Sequence, residues 1–222
     1  MRAWSARPDC AVVDEPLYAF YLDRTRLEHP GRDEVIASQP TDWSVVVDAL
    51  TVGPVPGGRG EFFQKHMTHH LLPEVDRDRL AGLRHAFLVR DPAEVLASYA
   101  RVREQPTLED LGLPQQVEIF ERYGGPVLDA RDVLEAPEAL LRVLCERLEV
   151  PFTTAMLTWP AGPHPADGVW ARHWYARVQA STGFAPWTPP RDELPARLEP
   201  LLARCLPYYD ALAAHRLRAT DG

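Results

Sequence analysis

Four short apolar runs, each followed by a stretch of helical character, are what most constrain this chain. They are CAVVD at 10–14, FFQK at 62–65, AFLVR at 86–90 and PVLD at 126–129. Each is rich in β-branched or large apolar residues and too short to be a helix. Runs that are apolar throughout, rather than alternating, are the mark of parallel strands buried on both faces. The stretches between them predict helices over 32–37, 41–50, about 76–83, 93–103, 113–123 and 138–148. In the last of these, Leu140, Leu141, Leu144, Cys145 and Leu148 fall on one face behind Pro137, so Cys145 is expected in the core rather than as a reactive thiol. Strand and helix in alternation predict an α/β fold of three layers, a mainly parallel sheet flanked by helices. No repeat, low-complexity tract or long linker interrupts the 222 residues, so a single domain is expected over 1–222. Its last third is rich in proline and aromatic residues, and 185–222 is expected to wrap the sheet as loops and short helices.

Composition removes several functional classes. The formal net charge of -8 argues against binding nucleic acid or an anionic membrane, both of which begin with a basic surface. No apolar run approaches the roughly 20 residues of a membrane span, and the opening residues contain no signal-type apolar segment. Cys10, Cys145 and Cys205 are odd in number and widely spaced, which suggests neither disulfides nor a thiolate zinc site. A reducing, cytoplasmic setting is therefore expected. Of the 24 basic residues only Lys65 is a lysine. That gives it more weight than any single arginine.

The sharpest local signal is Arg90-Asp91-Pro92-Ala93-Glu94. A strand ending in arginine turns straight into a helix with an aspartate cap, proline at its first position and glutamate at its third, a capping-box pattern. A guanidinium beside helix N–H groups can grip a phosphate, and Ser98 falls on the same helix face. The plainer alternative is an arginine that pairs with an acid at a sheet edge. His66, His69 and His70 have a spacing that invites a metal, but no glutamate completes an H-E-x-x-H pattern, so no metal is expected. The glycine cluster 53–60 follows a helix and reads as a surface loop. Trp170, Trp174 and Tyr175 are either core residues or a wall for stacking on a planar ligand.

With these residues in view, the sequence resembles the PAPS-dependent sulfotransferases, in particular bacterial sulfotransferase-like proteins with a D-E-P-x-Y segment. FLVRDPAEVLASY is similar to that family's 3′-phosphate motif, and LDARDVLEAPEALLRVLCERLEVPF to its second-half segment. DCAVVDEPLYAFYL, FQKHMTHHLLP, GVWARHWY and STGF are similar to the subgroup. The resemblance runs in order from residue 2 to 187. It implies the sulfotransferase fold, which is related to the P-loop nucleotide hydrolases, and a sulfuryl donor, PAPS, as co-substrate.

Carried onto this sequence, the resemblance implies that Arg90 and Ser98 contact the nucleotide's 3′-phosphate and that Arg172 and His173 belong to a nucleotide-closing segment. Lys65 is implied as the cation at the leaving group. Sulfuryl transfer also needs a base for the acceptor's proton, for which Glu15 is the first candidate and His66 the second. Family members begin with a strand and a P-R-N-x-S-T phosphate loop that this sequence does not contain. A sheet lacking that strand is expected to close by bringing 10–14 and 86–90 together or by recruiting another chain, as a homo- or hetero-oligomer. Two functions are consistent with this reading. One is sulfuryl transfer from PAPS to a small-molecule hydroxyl or amine, in bacterial secondary metabolism. The other is a subunit that has lost PAPS use and serves a hetero-oligomer on a sulfated or other anionic intermediate, or as a structural partner.

Overall fold

The computed structural model describes residues 1–101, 105–189 and 193–221. Its strands are β1 (Cys10–Asp14), β2 (Glu61–Lys65), β3 (Phe87–Val89) and β4 (Val127–Asp129). In chain order the helices are α1 (Arg2–Ser5), α2 (Tyr18–Thr25), α3 (Arg32–Ser38), α4 (Trp43–Thr51), α5 (Pro92–Tyr99) and α6 (Leu108–Leu111). They continue with α7 (Leu113–Tyr123), α8 (Ala130–Glu135), α9 (Pro137–Arg147), α10 (Ala171–Trp174), α11 (Ala176–Ala180) and α12 (Glu199–Ala213). The order is that of an α/β protein, and both strand ladders are parallel: β1 pairs with β2 and β3 with β4. The first ladder sets Cys10 opposite Glu61 and ends with Asp14 opposite Lys65. The second runs from Phe87 opposite Val127 to Val89 opposite Asp129.

The four expected strands are present within a residue or two of their predicted bounds. The expectation of burial on both faces fails for β2 and β3, because every residue of β2 is only partly buried and Leu88 in the middle of β3 is 59% exposed. The β3 run alternates instead of being buried on both faces. The helix expected over 93–103 ends at Tyr99, with residues 102–103 outside the described part, and the stretch at 76–83 makes only a 3-10 turn over Arg77–Leu80.

The described residues fall into two units. One joins Met1–Leu83 with Thr153–Phe184, the other Arg84–Phe152 with Ala185–Gly222. In the first, α2 packs on α3, burying Tyr18, Ala19, Tyr21, Leu22 and Val35 around Trp170. Trp170 lies so close to Gly168 that a Cβ there would fall 2.1 Å from the indole ring, so no larger residue fits without moving the tryptophan. Trp4 of α1 stacks on Phe63 of β2 at 5.0 Å, which ties α1 to the ladder.

In the second unit, α12 packs against α5, α7, β3 and β4. Leu198, Leu201 and Cys205 close a core with Leu96, Leu108 and Leu113. This 15-residue helix corrects the expectation of loops and short helices for 185–222, a segment in which residues 190–192 and 222 lie outside the described part. Pro200 sits in the first turn, where no N–H partner is needed, and the apolar face of α12 holds the helix together through Pro207 in its interior. After α12, the amide of Leu217 donates to Val127 of β4 at 2.8 Å. In α9, Leu140, Leu141, Leu144 and Cys145 are buried as their spacing predicts. Among the described residues no helix is long and apolar enough to cross a membrane.

Candidate active site

The site grows out of the last ladder pair of β1 and β2. Parallel register brings Asp14 opposite Lys65, and the ladder runs one bond further, the Glu15 amide donating to the Lys65 carbonyl at 2.8 Å. Successive side chains of an extended strand point to opposite faces, so an ordinary strand would send Asp14 and Glu15 apart. Here Glu15 has φ +43°, in the left-handed region that costs a residue with a side chain roughly 1–2 kcal/mol. That turn brings both carboxylates to the same ammonium. Gln39 braces it: its amide nitrogen donates to the Glu15 carbonyl at 3.2 Å while its amide oxygen accepts from Ala19 at 3.1 Å.

The Lys65 ammonium donates to Glu15 Oε1 at 2.5 Å and to Tyr175 Oη at 2.9 Å. It also lies 3.0 Å from Asp14 Oδ1, an ion pair without hydrogen-bond geometry. The Tyr175 hydroxyl donates to Asp14 Oδ2 at 2.6 Å, and the Trp170 indole N–H reaches Tyr175 Oη at 3.4 Å. Asp14 and Glu15 are buried, whereas the lysine side chain keeps 30% of its exposure.

Burial sets the acid–base character of the cluster. It raises the Glu15 carboxyl above the ordinary glutamate range, against the opposing pull of Lys65. Burial alone would lower Lys65, but the carboxylates of Glu15 and Asp14 outweigh it and hold the ammonium firmly charged. The Tyr175 phenol is pushed up by burial and then by Glu15, so it stays protonated. The result is a desolvated carboxylate with a raised proton affinity, one fixed cation and one neutral hydroxyl, the parts a general base site needs.

Beside this cluster stands a wall of aromatic and imidazole rings. His70 stacks on Tyr18 at 4.6 Å and meets Tyr21 and His69. The Tyr18 hydroxyl lies 2.6 Å from His29 Nε2, and His29 approaches Trp174. The two readings of the aromatic segment divide here: Trp170 is a core residue, whereas Trp174 is 41% exposed.

The other sequence-derived candidates take local partners. His66 turns its Nε2 to Gln64 at 3.3 Å. Arg172 pairs with Glu34, and its Nε contacts His173 Nε2 at 3.2 Å. Arg90, half exposed, bonds Glu94 at 2.8 Å through Nε, and Ser98 accepts from Arg101 at 3.2 Å. Asp91 caps α5 through the Ala93 amide, but Glu94 goes to Arg90 and leaves the expected capping box half formed. A guanidinium is the stronger partner for a carboxylate. Among the described residues no cluster suited to a metal ion is found. Sequence reasoning missed the bridging phenol of Tyr175, for which its place two residues after His173 gave no chemical sign.

Known proteins resemble this chain over most of its length. Two curated proteins of Arabidopsis thaliana are similar to nearly the whole chain. "Branched-chain-amino-acid aminotransferase-like protein 2" is 35% identical over 220 residues, covering 97% of this chain and 39% of that protein. "Branched-chain-amino-acid aminotransferase-like protein 1" is 38% identical over 221 residues, with the same coverages. The chain thus spans about two-fifths of the length of these relatives. Among solved structures, the sulfotransferase domain from the curacin biosynthetic pathway aligns with a TM-score of 0.41 at 15% identity, covering 90% of this chain and 72% of that one. The family described as a sulfotransferase domain, Sulfotransfer_5, matches residues 1–216, a span that takes in β1 to β4 and both carboxylates of the cluster, and the chain belongs to that family.

Proposed function

We propose that this domain transfers a sulfuryl group from PAPS to a hydroxyl or amine of a small molecule, with Glu15 accepting the proton. The observation that carries the reading is the buried Glu15 carboxylate, held at the end of β1 on the one lysine of the chain. The acceptor's oxygen or nitrogen attacks sulfur as its proton passes to Glu15. The bond from sulfur to the bridging oxygen breaks, and its electron pair leaves with 3′,5′-adenosine bisphosphate. Lys65 stays charged throughout and opposes the negative charge that gathers near it. For the 3′-phosphate the chain offers Arg90. Its bond to Glu94 uses Nε alone, and its side chain is 50% exposed, which suits a charge-assisted contact through the remaining guanidinium nitrogens.

A second reading is favoured by a different observation. Each cation named for anion binding already meets a carboxylate: Lys65 meets Asp14 and Glu15, Arg90 meets Glu94, and Arg172 meets Glu34. A domain built this way suits a role without PAPS, on another anionic intermediate or as a structural partner, and the curated relatives it resembles are more than twice its length. Incubation with PAPS and a panel of hydroxyl and amine acceptors separates the two. Acceptor-dependent release of 3′,5′-adenosine bisphosphate is expected, lost in Glu15→Gln with nucleotide binding intact, because the amide keeps the size and removes the proton acceptor. No release with any acceptor supports the second reading. A Glu15→Gln protein that still turns over, beside a dead His66→Ala, moves the base to His66.

A further inference from the structure

The hydroxyl of Tyr175 sits where a single proton decides how Lys65 is shared. Its oxygen receives the ammonium at 2.9 Å and the Trp170 indole N–H at 3.4 Å. Its one O–H has two carboxylates in range, Asp14 Oδ2 at 2.6 Å and Glu15 Oε1 at 3.3 Å. A phenol has one proton to give, and the shorter contact takes it. Asp14 is thereby supplied by the phenol, and the shortest bond of the lysine goes to Glu15. The ring lies beside the ammonium as well, 5.4 Å from Nζ to its centre.

We propose that Tyr175 is a positioning residue for Glu15: by donating to Asp14 it directs the Lys65 ammonium to Glu15 and so sets that carboxylate's proton affinity. The inference rests on the reading of Glu15 as the proton acceptor, but its test does not need turnover. The phenol acts on Glu15 through its neighbours, Asp14 and Lys65. Without it, Asp14 Oδ2 loses its donor and Lys65 swings toward Asp14. Glu15 then keeps the burial that raises it and loses part of the cation that lowers it. The ionisable groups that act on Glu15 and its partner include Lys65 from β2, Asp14 from β1, Tyr175 after α10, the Met1 amine, which interacts with Lys65 and Asp14, and His70, which interacts with Lys65.

The test is a carboxyl 13C NMR titration of Glu15 in the full chain, assigned by loss of the resonance in Glu15→Gln. In Tyr175→Phe the Glu15 midpoint is expected to rise by about one pH unit. Site-specific 3-fluorotyrosine at 175 keeps the ring while making the phenol a stronger donor and a weaker acceptor. It turns Lys65 further to Glu15, and a fall of the midpoint by a few tenths of a unit is expected. Opposite shifts support the proposal. An unmoved midpoint in both proteins, or shifts of the same sign, overturns it, because a residue that merely fills space would not respond to phenol acidity. Should Tyr175→Phe fail to fold, the sign of the fluorotyrosine shift alone decides. Absence of turnover with a shifted Glu15 would sink the proposed function and leave the positioning role standing.

Discussion

The ends of β1 and β3 are written in similar letters, Asp14-Glu15-Pro16 and Arg90-Asp91-Pro92, and become chemically different places. After β1 the acid before proline adopts a left-handed backbone and is buried. It is held by a lysine 50 positions away in sequence, and that lysine by a tyrosine 110 positions further on. After β3 the acid before proline caps a helix two residues on, and the preceding arginine bonds a glutamate four residues on. The difference follows from solvent. A buried charge must find partners that also leave water, and these come from distant segments that the fold assembles. An exposed charge is satisfied by whatever lies one turn along, weakly, because water and salt screen the pair. The first end is suited to tuning a proton affinity, the second to yielding its partner to an incoming anion.

Loss of Lys65 should strain this contrast most. Lys65→Met leaves two carboxylates buried together, and a stability loss of about 2–4 kcal/mol at pH 7 is expected from urea unfolding. The deficit should shrink toward pH 5, since protonation of the stranded carboxylates removes their repulsion. A loss under about 0.5 kcal/mol would place Lys65 among ordinary surface charges and erase the distinction.

Arg90→Ala should behave in the opposite way. Stability should stay within about 0.5 kcal/mol of the parent, whereas affinity for 3′,5′-adenosine bisphosphate should fall by about 1.5–3 kcal/mol in calorimetry, the cost of a charge-assisted contact. A marked drop in stability, or unchanged affinity, would show that Arg90 is a structural residue paired to Glu94.

The smallest expected effect comes from His70, buried among Tyr18, Tyr21 and His69, its pKa held well below 6.5 by burial first and by neighbouring cationic groups after that. The unfolded chain takes up a proton there near pH 6.5 and the folded chain does not. Stability therefore declines as pH falls below about 6.5, by at most about 1.4 kcal/mol per pH unit from this group. His70→Phe should remove the slope, reducing the stability difference between pH 7 and 5.5 by about 1 kcal/mol. An unaltered pH profile would mean that His70 is not kept neutral.

How much of this was legible in the sequence follows the same division. The Asp91 cap, Pro92 at the start of α5 and the buried face of α9 are local, written within a few residues, and the structure agrees with them. The strand ends were readable because apolar runs stop at charged residues. Among the helices that escaped notice, α2 and α12 did so for different reasons. The aromatic residues opening α2, Tyr18-Ala19-Phe20-Tyr21, carry no helix preference and become helical in the core of their unit, while Pro200 and Pro207 masked the apolar positions of α12. Tyr175 could not be read as a polar partner, since its bond to Asp14 spans 161 positions. The pairing of Arg90 with Glu94 was open in sequence, where four-residue spacing allows it but cannot decide between it and a ligand.

The central claim, that this sulfotransferase-family domain uses a 3′-phosphorylated adenosine nucleotide, is tested most directly by calorimetric titration of the chain with 3′,5′-adenosine bisphosphate and, in parallel, with AMP. Tighter binding of the bisphosphate is expected, by about tenfold or more if the 3′-phosphate gains one charge-assisted contact of 1.5 kcal/mol or greater. Equal affinity for the two nucleotides, or no binding of either, would contradict it.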